Sequence, residues 1–418
     1  PGPLDDEAVT TPDNCANWDR FFKVTRSEVL AHRAAWAQAI TDGRDKLEPN
    51  EISDAIKGWP ALGNPFFEEI HGFPLPGPSM GFNDLASYWD EGGSPGVYDP
   101  QFGDFPMMGI RNCYSSSIIP SEMVFWVFND AGDIHKNSQG DMIGMEIQAT
   151  AFAFQTDDAI NDMTFYSYKT INRSVEDIDD TYFGIWVDPD LGCFQDDYVG
   201  CDSTRSLMYA YNADALDGNL TCDDCNVNTY CTDIPVVGVD MLRGPFNELG
   251  VELGMSSFTY YDNAFYLSNQ AMTDPQTAIE FYNYLDGRWR NGAALTYGGN
   301  GYDPTNPNIT SYAFSSPPNE VDGWSMCTTA NQQGDMRTVQ AAGPFRLLPG
   351  ASNELITGVV FVPSMVYPCP DMTRFFDADD LAQAAFDNCF DIDINTSTYA
   401  PTEEAPELVE VQVLPNIL

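Results

Sequence analysis

Between Glu122 and Val187 the chain repeats one pattern. A short apolar run is followed by a turn signal, and then by another apolar run. Met123 to Phe128 is apolar throughout, as in a strand buried on both faces. Met142 to Phe154 alternates loosely, Met163 to Ile171 alternates well, and Thr181 to Val187 is a fourth run. Asn129-Asp130-Ala131-Gly132, Gln155 to Asp162 and Asn172 to Asp180 separate them. Runs this short, at this spacing, build antiparallel sheets. The pattern resumes at Arg337–Gln340, Phe345–Leu348 and Glu354–Val362, with Pro349-Gly350 as a hairpin-like turn. The expectation is a mainly β protein, a large antiparallel β-sandwich of jelly-roll or Ig-like type. It carries long loop insertions and a few short helices.

The rest of the chain is arranged around that core. Residues 1–110 read as an N-terminal wrapping segment with one helix. Thr25 and Glu28 form a capping box, and Val29, Trp36 and Ile40 share a face. Arg33 interrupts this face, so its stem must lie along the apolar stripe. The core spans 111–201 and 326–365, and 202–325 is a disulfide-stapled insertion. The insertion holds a helix with Asp274 as its cap, Pro275 at its first position, and Ile279, Tyr282 and Leu285 beyond. Residues 366–418 give a C-terminal helix near Asp379–Cys389 and an extended tail.

Charge narrows the function classes. Lys and Arg number 18 against 63 Asp and Glu, a net charge of −45. Asp outnumbers Glu by 44 to 19, which favours turns, caps and cation loops over helices. With no basic face, nucleic acid is excluded as a partner, and so is an anionic membrane surface. No apolar run is long enough to insert into a bilayer.

The ten cysteines cluster in part: Cys193 with Cys201, Cys222 and Cys225 with Cys231, and Cys369 with Cys389. Short loops of this kind are stapled by disulfides in exported proteins. Cys222-x2-Cys225-x5-Cys231 offers three ligands and no nearby His, so zinc does not fit. The chain begins Pro-Gly-Pro without Met, which suits a removed export signal or an excerpt of a longer polypeptide.

The sharpest local feature is Asp188-Pro-Asp190-Leu-Gly192, running on to Asp196-Asp197 and Asp202. No Lys or Arg lies among these acids. Hard oxygen donors packed so densely are what Ca²⁺ takes. An EF-hand loop is excluded, because Val199 stands where the bidentate Glu belongs. The expected calcium ligands are therefore Asp188, Asp190, Asp196, Asp197 and Asp202. The alternative is a solvated acidic turn clamped by a Cys193–Cys201 disulfide. A weaker second calcium loop is Asp90, Asp99 and Asp104. Asp335 pairs with Arg337 or joins a loop network.

Catalytic signals are sparse. His32, His71 and His135 lie in no metalloprotease motif, and no nucleophile elbow or phosphate loop is present. The chain reads as a non-enzyme with no organic cofactor.

Several blocks together carry a resemblance. They are Trp18-Asp-Arg-Phe-Phe-Lys-Val24, Lys57-Gly-Trp-Pro60, Glu69-Ile-His-Gly-Phe73, Phe125-Trp-Val-Phe-Asn-Asp130 and Trp186-Val-Asp-Pro-Asp-Leu-Gly192, then Gly334-Asp-Met-Arg337 and Ala342-Gly-Pro-Phe345. They resemble a region of large secreted Bacteroidota surface proteins that carry type IX secretion sorting domains. The resemblance implies export to the cell surface or medium, and no reaction. The relatives' 90–104 loop is a more regular calcium loop, and Gly92-Gly-Ser-Pro-Gly96 breaks it here. The expected function is an extracellular structural or adhesive section, calcium-stabilised and self-assembling or paired with other extracellular subunits. The alternatives are a glycan-binding module, suggested by the aromatic-rich loops, and a calcium-dependent hydrolase. A strand-like tail, Leu408-Val-Glu-Val-Gln-Val413, would open a next domain, pack on its own body or add to a neighbouring subunit.

Overall fold

A computed structural model describes residues 1–5, 7–77, 85–113, 117–225, 227–263 and 269–392. The tail strand at 408–413 lies outside them. The elements run α1 (Pro12–Trp18), β1 (Phe22–Thr25), α2 (Arg26–Thr41), α3 (Asp54–Lys57), α4 (Phe67–His71), β2 (Tyr88–Trp89) and β3 (Phe105–Pro106). Then come β4 (Glu122–Asn129), β5 (Met145–Ala153), β6 (Thr164–Asn172), β7 (Ile178–Val187), β8 (Asp197–Asp202), β9 (Leu207–Asn212), β10 (Val236–Arg243) and β11 (Ser257–Asp262). The chain continues with α5 (Ala278–Leu285), β12 (Met336–Leu347), β13 (Ser352–Val362) and α6 (Thr373–Asp387).

The fold is mainly β, with large antiparallel sheets and few helices. An eight-stranded sheet has the order β1-β4-β5-β6-β13-β10-β9-β8, and a three-stranded sheet the order β11-β12-β7. All their ladders are antiparallel. Residues 202–325 are not set apart from the core strands. They supply β9 and β10 to the large sheet and β11 to the small one. The Pro349-Gly350 turn does not close a hairpin. It carries the chain from β12 in the small sheet to β13 in the large one.

Both faces of the large sheet are covered. Met145 and Ile147 of β5 pack with Phe345 and Leu347 of β12. Met241 of β10 and Leu355 of β13 pack with Ala342 of β12. These contacts join one sheet to the other. The larger cluster gathers Trp18, Trp59 and Phe67 from the N-terminal segment, and Phe375 and Phe386 from α6. The described residues of the 1–110 segment hold four α-helices, α1 to α4, rather than one.

Helix α2 starts as its sequence dictates. Thr25 Oγ1 accepts the Glu28 N–H at 3.4 Å, and Glu28 Oε2 accepts the Thr25 N–H at 2.9 Å. The Arg33 guanidinium lies over the Phe105 ring at 4.9 Å, so its apolar stem and its charge are both used. Val29 and Ala39 are buried, but Ile40 is 52 % exposed, so the buried face reaches the last turn through Ala39 and not Ile40. At α5 the cap differs from the sequence reading. Thr277 stands at the N-cap, and Asp274 instead accepts from Arg337 Nη1 at 2.8 Å. A cation beside it is a stronger partner than a helix end.

Four disulfides close the body: Cys113–Cys389, Cys193–Cys225, Cys222–Cys231 and Cys327–Cys369. The sequence neighbours Cys193 and Cys201 do not pair, nor do Cys369 and Cys389. Cys201 is a free, buried thiol on β8, with its Sγ 3.3 Å from the Ala313 carbonyl. Cys193 is instead bonded to Cys225. Cys15 is also free.

Candidate metal centre

The acidic loop is divided three ways by the strand that follows it. Asp188 and Asp190 lie before the turn. Asp196 and Asp197 stand at its end, where β8 begins, and Asp202 closes β8 at the far end.

Asp202 leaves the site entirely. It accepts from Thr204 N at 2.9 Å, Thr204 Oγ1 at 2.6 Å and Arg205 Nη1 at 2.7 Å. Burial opposes its charge, but these bonds hold the carboxyl below its ordinary range.

Asp188 and Asp190 meet Asp335, with one carboxylate oxygen of each within 4.8 Å of the others. This group is half exposed and already has a cation. Arg337 Nε lies 3.2 Å from Asp188 Oδ2. Asp335 Oδ2 accepts from Asn263 Nδ2 at 2.8 Å. Burial raises the pKa of both Asp188 and Asp190, with Arg337 pulling the other way.

Asp196 and Asp197 lie deepest. They are 0 % and 2 % exposed, and the structure brings two further residues to them, Asn212 and Asp217, both 0 % exposed. Asn212 ends β9, directly across the ladder from Asp197. Asp217 comes from the loop after β9. A carboxylate oxygen of Asp217 lies within 4.8 Å of one from Asp196 and of the Cys193 sulfur, which is held in the disulfide to Cys225 and is no thiolate ligand.

Three of the four side chains are half satisfied, and Asp217 has a partner on each oxygen. Asp196 Oδ2 accepts from Gly218 N at 3.0 Å, and Asp197 Oδ2 from Leu191 N at 3.0 Å. Asn212 Nδ2 donates to the carbonyls of Asp214 at 3.2 Å and Leu216 at 3.3 Å. Asp217 accepts from Cys193 N at 2.6 Å and from Tyr230 N. The remaining oxygens, Asp196 Oδ1, Asp197 Oδ1 and Asn212 Oδ1, are buried without a hydrogen-bond partner. Three orphaned acceptors in one buried group is a costly arrangement.

The electrostatics agree. Burial pushes Asp196 up to about 6, against the Gly218 N–H and with Asp217 adding to the rise. Burial also drives Asp197 well above its usual range, and the charged neighbours acting on it are Asp196, Asp217 and Asp190, all acidic. A divalent cation would reverse these penalties, because its charge favours the ionised carboxylates. The donors are hard oxygens only, the chemistry Ca²⁺ prefers.

The second loop is built differently. Asp104 is 0 % exposed. It accepts from Glu91 N at 2.9 Å, Gly92 N at 3.4 Å and Asp99 N at 2.8 Å. Asp99 accepts from Gln101 N at 3.0 Å, and Asp90 from Gly96 N at 3.0 Å. Backbone amides, not one another, are the partners of these carboxylates. Burial still raises Asp104 to about 6.

Sequence reading singled out neither Asn212 nor Asp217. The available signal was the Asn212-Ala-Asp-Ala-Leu-Asp217-Gly218 turn directly after an apolar run. Only the β8–β9 ladder shows that this turn faces Asp197. Compared with known proteins, the chain matches no family model and no curated protein sequence.

Proposed function

We propose that this chain is a structural section of an extracellular cell-surface protein, a sandwich of two antiparallel sheets stapled by disulfides and locked by calcium. The ligands are Asp196, Asp197, Asn212 and Asp217. The observation that carries the reading is the set of buried, unpartnered oxygens on Asp196, Asp197 and Asn212. Calcium is abundant outside cells, and four disulfides are the staples of an oxidising compartment. The resemblance to secreted Bacteroidota surface proteins points the same way. The site serves structure and not turnover, because carboxylates at 0–2 % exposure reach no substrate. Its partners are other extracellular subunits or further copies of the chain. The test is thermal unfolding with calcium, with chelator, and with calcium restored. A melting temperature that ignores all three changes overturns the calcium lock.

A second reading, glycan binding, has one observation in its favour. A cavity of about 330 Å³ separates the N-terminal segment from the large sheet. Trp59 and Tyr88 line one side, and Gln148, Thr150, Ser167 and Lys169 the other. An aromatic wall facing polar groups suits one sugar ring. A glycan array without hits removes this reading.

A further inference from the structure

Helix α6 and strand β10 meet across two carboxyls. Asp240 is 1 % exposed and Asp379 is 2 % exposed. Both oxygens of Asp240 and Oδ1 of Asp379 are buried without a well-formed hydrogen bond, and the nearby Met241 N–H only partly offsets the burial of Asp240. The two side chains are within hydrogen-bond reach of each other.

The neighbouring charge does not resolve this. Arg205 gives Nε and Nη2 to Asp380, at 3.0 Å each, and Nη1 to Asp202 at 2.7 Å. It reaches Asp379 Oδ2 only at 3.7 Å. One guanidinium therefore faces Asp202, Asp240, Asp379 and Asp380. Two ionised carboxylates in hydrogen-bond contact, shut away from water, would repel with lone pairs aimed at each other. A single proton turns that contact into a charge-assisted O–H···O⁻ bond.

We propose that Asp240 and Asp379 share one proton, and that this proton fastens α6 to the large sheet until an alkaline medium removes it. Burial pushes Asp379 up to about 7 against the pull of Arg205, and burial with Asp379 holds Asp240 well above its ordinary range. The folded pair thus binds its proton more tightly than the unfolded chain does. Its contribution is whole at and below the ordinary carboxylate range. It is lost as pH rises through about 7 and beyond.

The other contacts between these elements that the structure shows, such as Gln383 Nε2 donating to the Leu242 carbonyl at 3.4 Å, do not titrate in that range. Arg243 of β10 lies over the Phe386 ring of α6 at 4.8 Å. Beyond α6, Cys389 is tied to Cys113. A released α6 therefore stays tethered, and its inner face, with Phe375 and Phe386, becomes available while the sheet persists. The device is a reversible latch.

The experiment is hydrogen exchange of the intact protein in excess calcium, at about pH 5 and about pH 9, corrected for intrinsic amide rates. The expected result is an opening of α6 that grows at least about tenfold relative to β4–β6. Equal opening at both pH values overturns the proposal. In Asp240→Asn the amide donates to Asp379 at every pH, so the pH dependence should disappear; its persistence also overturns the proposal. Should that variant fail to fold, ¹³C-aspartate NMR of the unaltered chain decides. One carboxyl titrating at about pH 7 or above supports the shared proton, and none there refutes it.

Discussion

Gly192 and Asp217 stand so close that no side chain fits between them: a Cβ on Gly192 would lie 2.0 Å from Asp217 Oδ2. Gly192 also holds φ at +70°, where a side chain is strained in any case. Gly192→Ala should therefore push Asp217 out of the proposed calcium site. The expected cost is about 3 kcal/mol or more, with loss of the calcium response. Calorimetry with and without calcium reads both.

The structure sets aside one carboxylate that the sequence pointed to, Asp202, and brings in one that it did not, Asp217. Asp217→Asn should abolish stabilisation by calcium. Asp202→Asn should keep it, because Asp202 is taken by Arg205 and Thr204. For the unaltered chain, free calcium at about a hundredfold over Kd should add about 2.7 kcal/mol. Isothermal titration of the two variants checks the assignment, and equal loss in both would refute it.

The two thiols differ in access. Cys15 is half-buried and Cys201 is 1 % exposed. Under native conditions a thiol reagent should label Cys15 alone, and Cys201 only after unfolding. Mass spectrometry of the labelled peptides reads the order. Rapid native labelling of Cys201 would contradict its place on β8.

Glu146 is 0 % exposed and is held by close polar partners. Arg173 Nη2 and Nε meet its two oxygens at 3.0 and 3.1 Å, and Leu4 N donates to it at 2.9 Å. Arg173→Ala strands this carboxylate in the interior. The expected loss is about 3–5 kcal/mol, and denaturant unfolding measures it.

His32 sets an acid limit. Its Nε2 lies 3.0 Å from the Asp104 carbonyl, and burial pushes the imidazole down to about 4. The unfolded chain binds this proton more readily than the folded one. Stability from His32 is thus present above the ordinary histidine range and lost as pH falls toward about 4. His32→Gln keeps a donor for the carbonyl and does not titrate. It should shrink the loss of stability between about pH 6.5 and about pH 4 by up to about 3 kcal/mol.

What the sequence made legible follows from the range of each interaction. The strands at 122–187 and 354–362 and the α2 capping box are local patterns, and the structure contains them. The partners of Asp197 were hidden, because Asn212 reaches it through strand pairing and Asp217 through a loop anchored at Cys193. Residues 202–325 read as an insertion because turns and cysteines dominate their composition. Yet Leu207 to Tyr211 are wholly buried in the sheet. Disulfide partners followed space, not sequence: Cys113 and Cys389 are 276 residues apart. The Asp90–Asp104 loop has cation-loop composition, but its carboxylates fold the loop around backbone amides.

The strand order also decides when this protein can become itself. β13 lies between β6 and β10, joining the half of the sheet made first to the half made later. Until Ser352–Val362 arrives, each half has an open inner edge and no partner for it. A chain emerging N-terminus first holds two incomplete pieces from the completion of β10 until β13 arrives, and one late strand closes them together. Such wiring defers closure of the large sheet until most of the chain is available.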